Sequence, residues 1–85
     1  MTEMKILGIL IRDRIKEAGR TQAVLSKHAR IIKTRLGFHE LSEEKNSRTG
    51  IILLQLTAVH EECELLEREL SEIGGLEVKE MSFIF

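Results

Sequence analysis

A single α+β domain with its elements in the order β-α-β-β-α-β is what these 85 residues predict. Three observations carry that expectation. Two short runs, Met4 to Ile11 and Gly50 to Leu56, are apolar on both alternate faces, as in central strands covered on two sides. Between Val59 and Ile73 the apolar residues fall at helical spacing. A third run, Arg30 to Phe38, alternates apolar with polar or charged residues, the pattern of a half-buried edge strand.

The first strand, Met4 to Ile11, presents Leu7, Ile9 and Ile11 on one face and Ile6, Gly8 and Leu10 on the other. Arg12-Asp13-Arg14 ends it, and Asp13 suits the N-cap of a helix because its carboxylate accepts a bond from an orphan backbone N–H. A helix then spans Arg14 to about Lys27, with Ile15, Ala18 and Leu25 as its apolar positions and Gln22 interrupting them. Gly19 costs this helix about 1 kcal/mol relative to alanine. In the second strand Ile32, Thr34, Leu36 and Phe38 face one way, and Lys33, Arg35 and His39 the other.

Glu40 to Arg48 is polar and rich in turn formers, so it reads as a solvated hairpin loop. Gly50 to Leu56 is the second central strand, and Thr57 is placed to cap the helix that follows. Val59, Cys63, Leu66, Leu70 and Ile73 put one apolar stripe on that helix, with Gly74 as its left-handed stop. In the last strand, Leu76 to Phe85, the apolar phase changes after Val78, which a bulge near Lys79-Glu80 would explain.

With right-handed crossovers this order gives a ferredoxin-like fold: a four-stranded antiparallel sheet with both helices on one face. The opposite face of the central strands then still shows Ile51 and Leu53, with either Leu7 and Ile9 or Ile6 and Leu10. Such a face calls for cover, by another copy of the chain or by the tail from Met81 to Phe85 folding back. A homo-oligomer, dimer or tetramer, is the expectation. A chain this short buries roughly 60–70% of its unfolded surface, which points the same way.

Composition narrows the function. Thirteen Lys and Arg against 14 Asp and Glu give a net charge of −1, without the basic excess of a nucleic-acid binder. The central strands contain no aromatic residue for stacking bases, since the phenylalanines are Phe38, Phe83 and Phe85. Cys63 is the sole cysteine, so neither an intrachain disulfide nor a Cys-x-x-Cys metal grip is available. The opening residues lack a signal peptide, and no run is long enough to span a membrane, so a cytoplasmic location is expected. No phosphate loop or nucleophile with a nearby base appears, so the chain is not expected to be an enzyme or to need a cofactor. His60 and Cys63 lie three apart on a helix, but Cys63 belongs to the apolar stripe, where a thiol is a small buried hydrophobe. The candidate ligand site is Arg12, Asp13 and Arg14 after the first strand, where N–H groups and guanidinium groups could hold an anion. The same segment also reads as a capped helix start with solvated arginines. Gly37 and His39 join the candidate site at a subunit boundary.

Asp13-Arg14, then Arg35-Leu36-Gly37, then Leu70 to Lys79 with Gly75-Leu76-Glu77-Val78-Lys79 in a G-[VL]-x-V-K pattern, carry a resemblance. In that order, over Lys5 to Met81, the chain resembles the small stand-alone ACT-like proteins known as iron-only hydrogenase system regulators. The resemblance implies an ACT-like, ferredoxin-like fold, association into dimers or tetramers, and a regulatory role. The fold is also similar to the effector domain of nickel-responsive repressors, but the H-x-H of that group is absent here. Amino-acid-binding ACT domains place a glycine after the first strand, and Arg12-Asp13-Arg14 has none. The leading expectation is therefore an oligomeric regulatory module that senses a small-molecule effector. The second is an assembly subunit that docks on a protein partner through Glu40 to Arg48. A metal sensor built from His39, His60 and Cys63 comes last.

Overall fold

Strand β1 (Glu3–Ile11) is central because it pairs on both edges, with β3 (Gly50–Leu56) on one side and β4 (Leu76–Ile84) on the other. Strand β2 (Ile32–His39) adds to the far edge of β3, giving a fully antiparallel sheet in the order β2-β3-β1-β4. Helix α1 (Arg14–Lys27) connects β1 to β2 through a 3-10 turn at Ala29–Ile31, and α2 (His60–Ser71) connects β3 to β4. This is the ferredoxin-like arrangement. The structure is a computed structural model and describes residues 2–39, 48–57 and 59–85.

The core lies between the helices and one face of the sheet. Leu7, Ile9 and Ile11 of β1 and Ile52, Leu54 and Leu56 of β3 meet Leu25 of α1 and Cys63, Leu66 and Leu70 of α2. The period of two along a strand then sends Ile6, Gly8 and Leu10, with Ile51 and Leu53, to the open face. Of the two pairings the sequence allowed, Ile6 and Leu10 therefore stand on that face.

Helix α1 has the expected span but not the expected inner face. It buries Glu17, Thr21 and Leu25, while Ile15 is 60% exposed. Leu25 fixes the rotation, and the positions four and eight residues before it turn inward with it. Glu17 is tolerated there because Arg20 Nε donates to its Oε2 at 3.0 Å. Asp13 does cap the helix, accepting from the Lys16 N–H at 3.1 Å.

Four further expectations are corrected. Thr57 does not cap α2; its N–H and hydroxyl both donate to the Ile31 carbonyl, at 2.8 and 3.4 Å, and Val59 occupies the cap position without a side-chain bond. The left-handed residue after α2 is Gly75, with φ at +86°, not Gly74. Strand β4 carries no bulge at Lys79-Glu80, since its pairing with β1 runs unbroken from Glu3–Ile84 to Ile11–Leu76. The irregularity sits in β2 instead, between Ile32 and Thr34, and it returns Ile32 to the core side, away from Leu36 and Phe38. The tail does not fold back over the open face either: Phe85 N–H donates to the Thr2 carbonyl at 2.8 Å and prolongs the sheet.

The two adjacent glycines should separate cleanly on substitution. Gly75→Ala forces a side chain into the left-handed region and should cost about 1–2 kcal/mol. Gly74→Ala meets no atom within 4 Å and should be neutral or gain a few tenths of a kcal/mol. Urea unfolding midpoints of the two variants test this; equal costs would refute the assignment of the turn.

Candidate functional site: a cleft between α1 and the β2 edge

Helix α1 turns its small residues Ala18 and Gly19 toward β2, and the sheet answers with Gly37 and Gly50, which place no side chain on the helix side. The result is a cleft of about 570 Å³. Gly37, Gly50, Ile52 and Ile11 form its floor, Arg14, Ala18, Thr21 and Gln22 its helical wall, and Arg35 and Phe38 its rim on β2. The size and mostly apolar lining suit a small molecule.

Its polar groups are few. Arg14 and Arg35 bring positive charge, and no carboxylate lines the cleft among the described residues. Arg35 Nη1 donates to Gln22 Oε1 at 2.8 Å, which bridges the strand to the helix across the opening. The Arg14 stem lies over Gly50, where an added Cβ would stand 3.5 Å from Arg14 Cβ and Cδ. Thr21 is 2% exposed, and its Oγ1 is a buried side-chain oxygen with no hydrogen-bond partner.

Of the residues singled out from sequence, Arg14 and Gly37 line this cleft. Asp13 serves as cap and as the partner of Arg48, whose Nε donates to its Oδ1 at 3.0 Å. That Arg48 bond, with the Lys16 N–H, holds the Asp13 carboxyl below its ordinary value. Arg12 is exposed and stands outside the lining; its N–H donates to the Gly75 carbonyl at 2.9 Å and its carbonyl accepts from the Thr49 hydroxyl at 3.5 Å. His39 ends β2 with its backbone in register with Gly50. Sequence reading missed Thr21, Gln22 and Arg35 as lining residues. The signal available for Arg35 was its position two residues before Gly37, which puts both on one face of the strand.

Two other clusters are structural. His28 is 2% exposed and joins the helices, with Nδ1 3.4 Å from Glu62 Oε1 and Nε2 3.2 Å from Glu69 Oε1. Lys27 Nζ donates to Glu69 at 2.9 Å, and Arg30 Nε to Glu62 Oε2 at 2.8 Å. The Arg30 hydrogen bonds, ahead of burial's opposing effect and helped by His28, hold the Glu62 carboxyl below its ordinary value. Lys27 does the same for Glu69, again with His28 and against burial. On the other side of the core, Lys5 Nζ is 3.3 Å from Glu80 Oε1.

The residues of the metal reading go separate ways. Cys63 Sγ donates to the Thr57 carbonyl at 3.2 Å, and burial pushes the thiol up, away from the thiolate that binds metal. His60 Nε2 lies 3.1 Å from Glu3 Oε2. No group of three or more His, Cys, Asp and Glu able to hold a metal occurs among the described residues. Residues 40–47, on which the loop-docking expectation falls, lie outside the described residues.

Fold and cleft together define a small ferredoxin-like α+β module. No family model and no curated protein matches the chain. Among solved structures it is similar to the uncharacterised protein TM1266 from Thermotoga maritima, at 25% identity and a TM-score of 0.81, over 96% of this chain and 99% of that one. It shares its fold with CPII from Thiomonas intermedia K12 in a structure bound to ADP, AMP and acetate, at 17% identity and a TM-score of 0.60, over 96% of this chain and 87% of that one. The de novo designed protein Foldit4 has the same fold, at 18% identity and a TM-score of 0.56, over 98% and 97% of the two chains.

The lowered carboxylates Asp13, Glu62 and Glu69 fix the sign of the acid response. Their folded values lie below the unfolded ones, so the native state binds fewer protons on acidification. Their contribution is complete above the unfolded carboxylate range, near pH 4–4.5, and is lost as pH falls through the folded values. Urea midpoints should therefore fall below about pH 4.5. Glu62→Gln, which cannot titrate, should flatten that limb; a wild-type slope in the variant would refute the role given to Glu62.

Proposed function

We propose that the chain is a regulatory or ligand-binding module that works as a homo-oligomer and catalyses no reaction of its own. The observation that carries this reading is the open face of the sheet. There Phe38, Ile51 and Leu10 form one cross-strand row, Leu36 and Leu53 lie beside Gly8 in the next, and Ile6 and Met81 pair beyond. Leu36 is 55% exposed, Phe38 50% and Met81 51%. Four strands about 4.8 Å apart and some 30 Å long span on the order of 500 Å². Thr34, Gln55, Glu77 and Lys79 share that face at its margins, and the apolar rows between them make a patch of roughly a few hundred Å², a size that marks interaction sites. The chain's own tail is already engaged in the sheet, through Phe85 and Thr2. A second copy, presenting the same face across a two-fold axis, supplies the cover.

Three further points support regulation over catalysis. Among the described residues the cleft holds two guanidinium groups and no nucleophile–base pair, and a binding site needs only the former. The sequence resemblance to iron-only hydrogenase system regulators runs through Arg35-Leu36-Gly37 and the Gly75 to Lys79 pattern, both at structurally used positions. CPII, whose fold this chain shares, is described as a nitrogen regulatory PII-like protein and was solved with ADP and AMP. Small anionic effectors are accordingly the first class to try. Among the described residues no helix is long and apolar enough to cross a membrane, and we place the module in the cytoplasm.

Light scattering on purified protein should return the mass of a dimer or tetramer. Leu36→Glu puts a charge into the face on an edge strand, where the core is untouched, and should yield a folded monomer by circular dichroism. A monomeric wild type, or a variant with unchanged mass, would remove the basis for this reading.

A further inference from the structure

We infer that the cleft between α1 and the β2 edge binds a small organic anion, a carboxylate or phosphate carried on an apolar or planar body, with Arg35 at the anionic group. The inference rests on the reading of the chain as a binding module and gives that module its ligand class. Three observations converge on it.

The first is charge. The chain as a whole is balanced, with 13 basic and 14 acidic residues, yet among the described residues the charged groups that line this cleft are Arg14 and Arg35. A ligand carrying a negative group is the complement. The second is the state of Arg35. Its guanidinium has five N–H donors in a planar fork, and Gln22 takes one of them at 2.8 Å. That bond orients the fork across the cleft mouth and leaves donors in the geometry that carboxylate and phosphate accept in pairs.

Third, Gly37 has no conformational reason to be glycine. Its φ is not positive, and an added Cβ would meet only Ile52 Cγ1 at 3.9 Å and the Ile51 carbonyl oxygen at 4.0 Å. Glycine inside a strand weakens it, and it is found where something must approach the backbone closely. Here a side chain would project into the cleft and fill it. The floor is apolar, through Ile11 and Ile52, which is why the ligand needs a body as well as a charge.

Titration calorimetry on the full chain provides the test, with three probes: 4-methyl-2-oxopentanoate, a carboxylate on a branched apolar chain; AMP, a phosphate on a planar body; and inorganic phosphate, the anion alone. At least one of the first two should bind saturably, one per chain, more tightly than inorganic phosphate and less tightly as salt is raised. Binding of the first alone assigns a carboxylate ligand, and binding of AMP alone a phosphate. Arg35→Gln should weaken that binding by about tenfold or more, the loss expected for a charged hydrogen bond. Gly37→Val should weaken it by narrowing the floor, with charge unchanged and a side chain that suits a strand. Both variants should keep the wild-type mass by light scattering and the wild-type melting temperature. Absence of binding by both organic probes overturns the inference, as does affinity that both variants leave unchanged or that inorganic phosphate alone reproduces. Light scattering in the same experiment separates the two failures. An oligomer that binds neither organic probe refutes the ligand class and leaves the oligomeric module standing, whereas a monomer that binds through Arg35 refutes the oligomer and leaves the site.

Discussion

Aliphatic side chains stand on both faces of β1 and β3, and two helices can cover only one of them. That imbalance governs the rest of the molecule. It explains why β4 changes its apolar phase without a bulge. Its first half gives Leu76 and Val78 to the helix side, where the core needs them, and its second half gives Met81 and Phe83 to the open face. At the switch, Glu80 and Ser82 take the helix side and face Lys5, which is 7% exposed. Burial works against the Lys5 ammonium, but the Glu80 hydrogen bond and charge hold its pKa above the ordinary value. Burial and a hydrogen bond to Glu80 raise Glu67, while that bond, with Lys5, lowers Glu80 against burial. Glu67 is therefore the weaker acid of the two, and Glu80 carries the charge that Lys5 answers. A polar plug on one face lets the apolar residues of β4 serve the other.

Helix α1 shows the opposite economy. Its inner face is mostly polar, and ionic contacts at its ends hold it in place of an apolar stripe. Asp13 and Arg48 fix the start, and Lys27, with His28 just beyond the last turn, ties the end to Glu69 and Glu62 of α2. Glu17 packs its methylenes near Gly75, where an added Cβ would lie 3.7 Å from Glu17 Cγ. With Glu17, Thr21 and Leu25 turned inward, Ala18 and Gly19 are left facing β2. The cleft is a consequence of that rotation.

The same contrast explains what could be read from the amino-acid sequence. Strands β1 and β3 and the stripe Cys63, Leu66, Leu70 and Ile73 were legible because apolar burial alone sets their faces. The inner face of α1 was not, since Ile15 and Ala18 look more apolar than Glu17 and Thr21, and only Arg20 and the packing around Leu25 reverse that ranking. Which of two adjacent glycines turns left-handed depends on the exit angle of α2, which composition does not encode. The bulge at Ile32/Thr34 was hidden because Ile32, Thr34, Leu36 and Phe38 alternate with polar residues or glycine as if all four shared one face. Of the cleft, Arg14 and Gly37 were visible as an arginine at the start of a helix and a strand glycine. Thr21 and Gln22 belong to it only because α1 is rotated, and no local pattern reports that.

Phe38 and Ile51 finally connect the two surfaces. Both line the cleft, and both stand in the first cross-strand row of the open face. Their backbone borders the cleft on the helix side while their side chains stand on the opposite face of the sheet, so the proposed ligand and the proposed second copy meet the same two residues from opposite sides. Any shift of that stretch of backbone is then shared by ligand binding and by association. Linkage requires such an effect to be reciprocal: a ligand that strengthens association by some factor is bound more tightly by the associated form by the same factor. Coupling between sites is usually on the order of 1–3 kcal/mol. The β2–β3 edge is where the proposed ligand site and the proposed interface lie back to back, and it is there that such a coupling would have to pass.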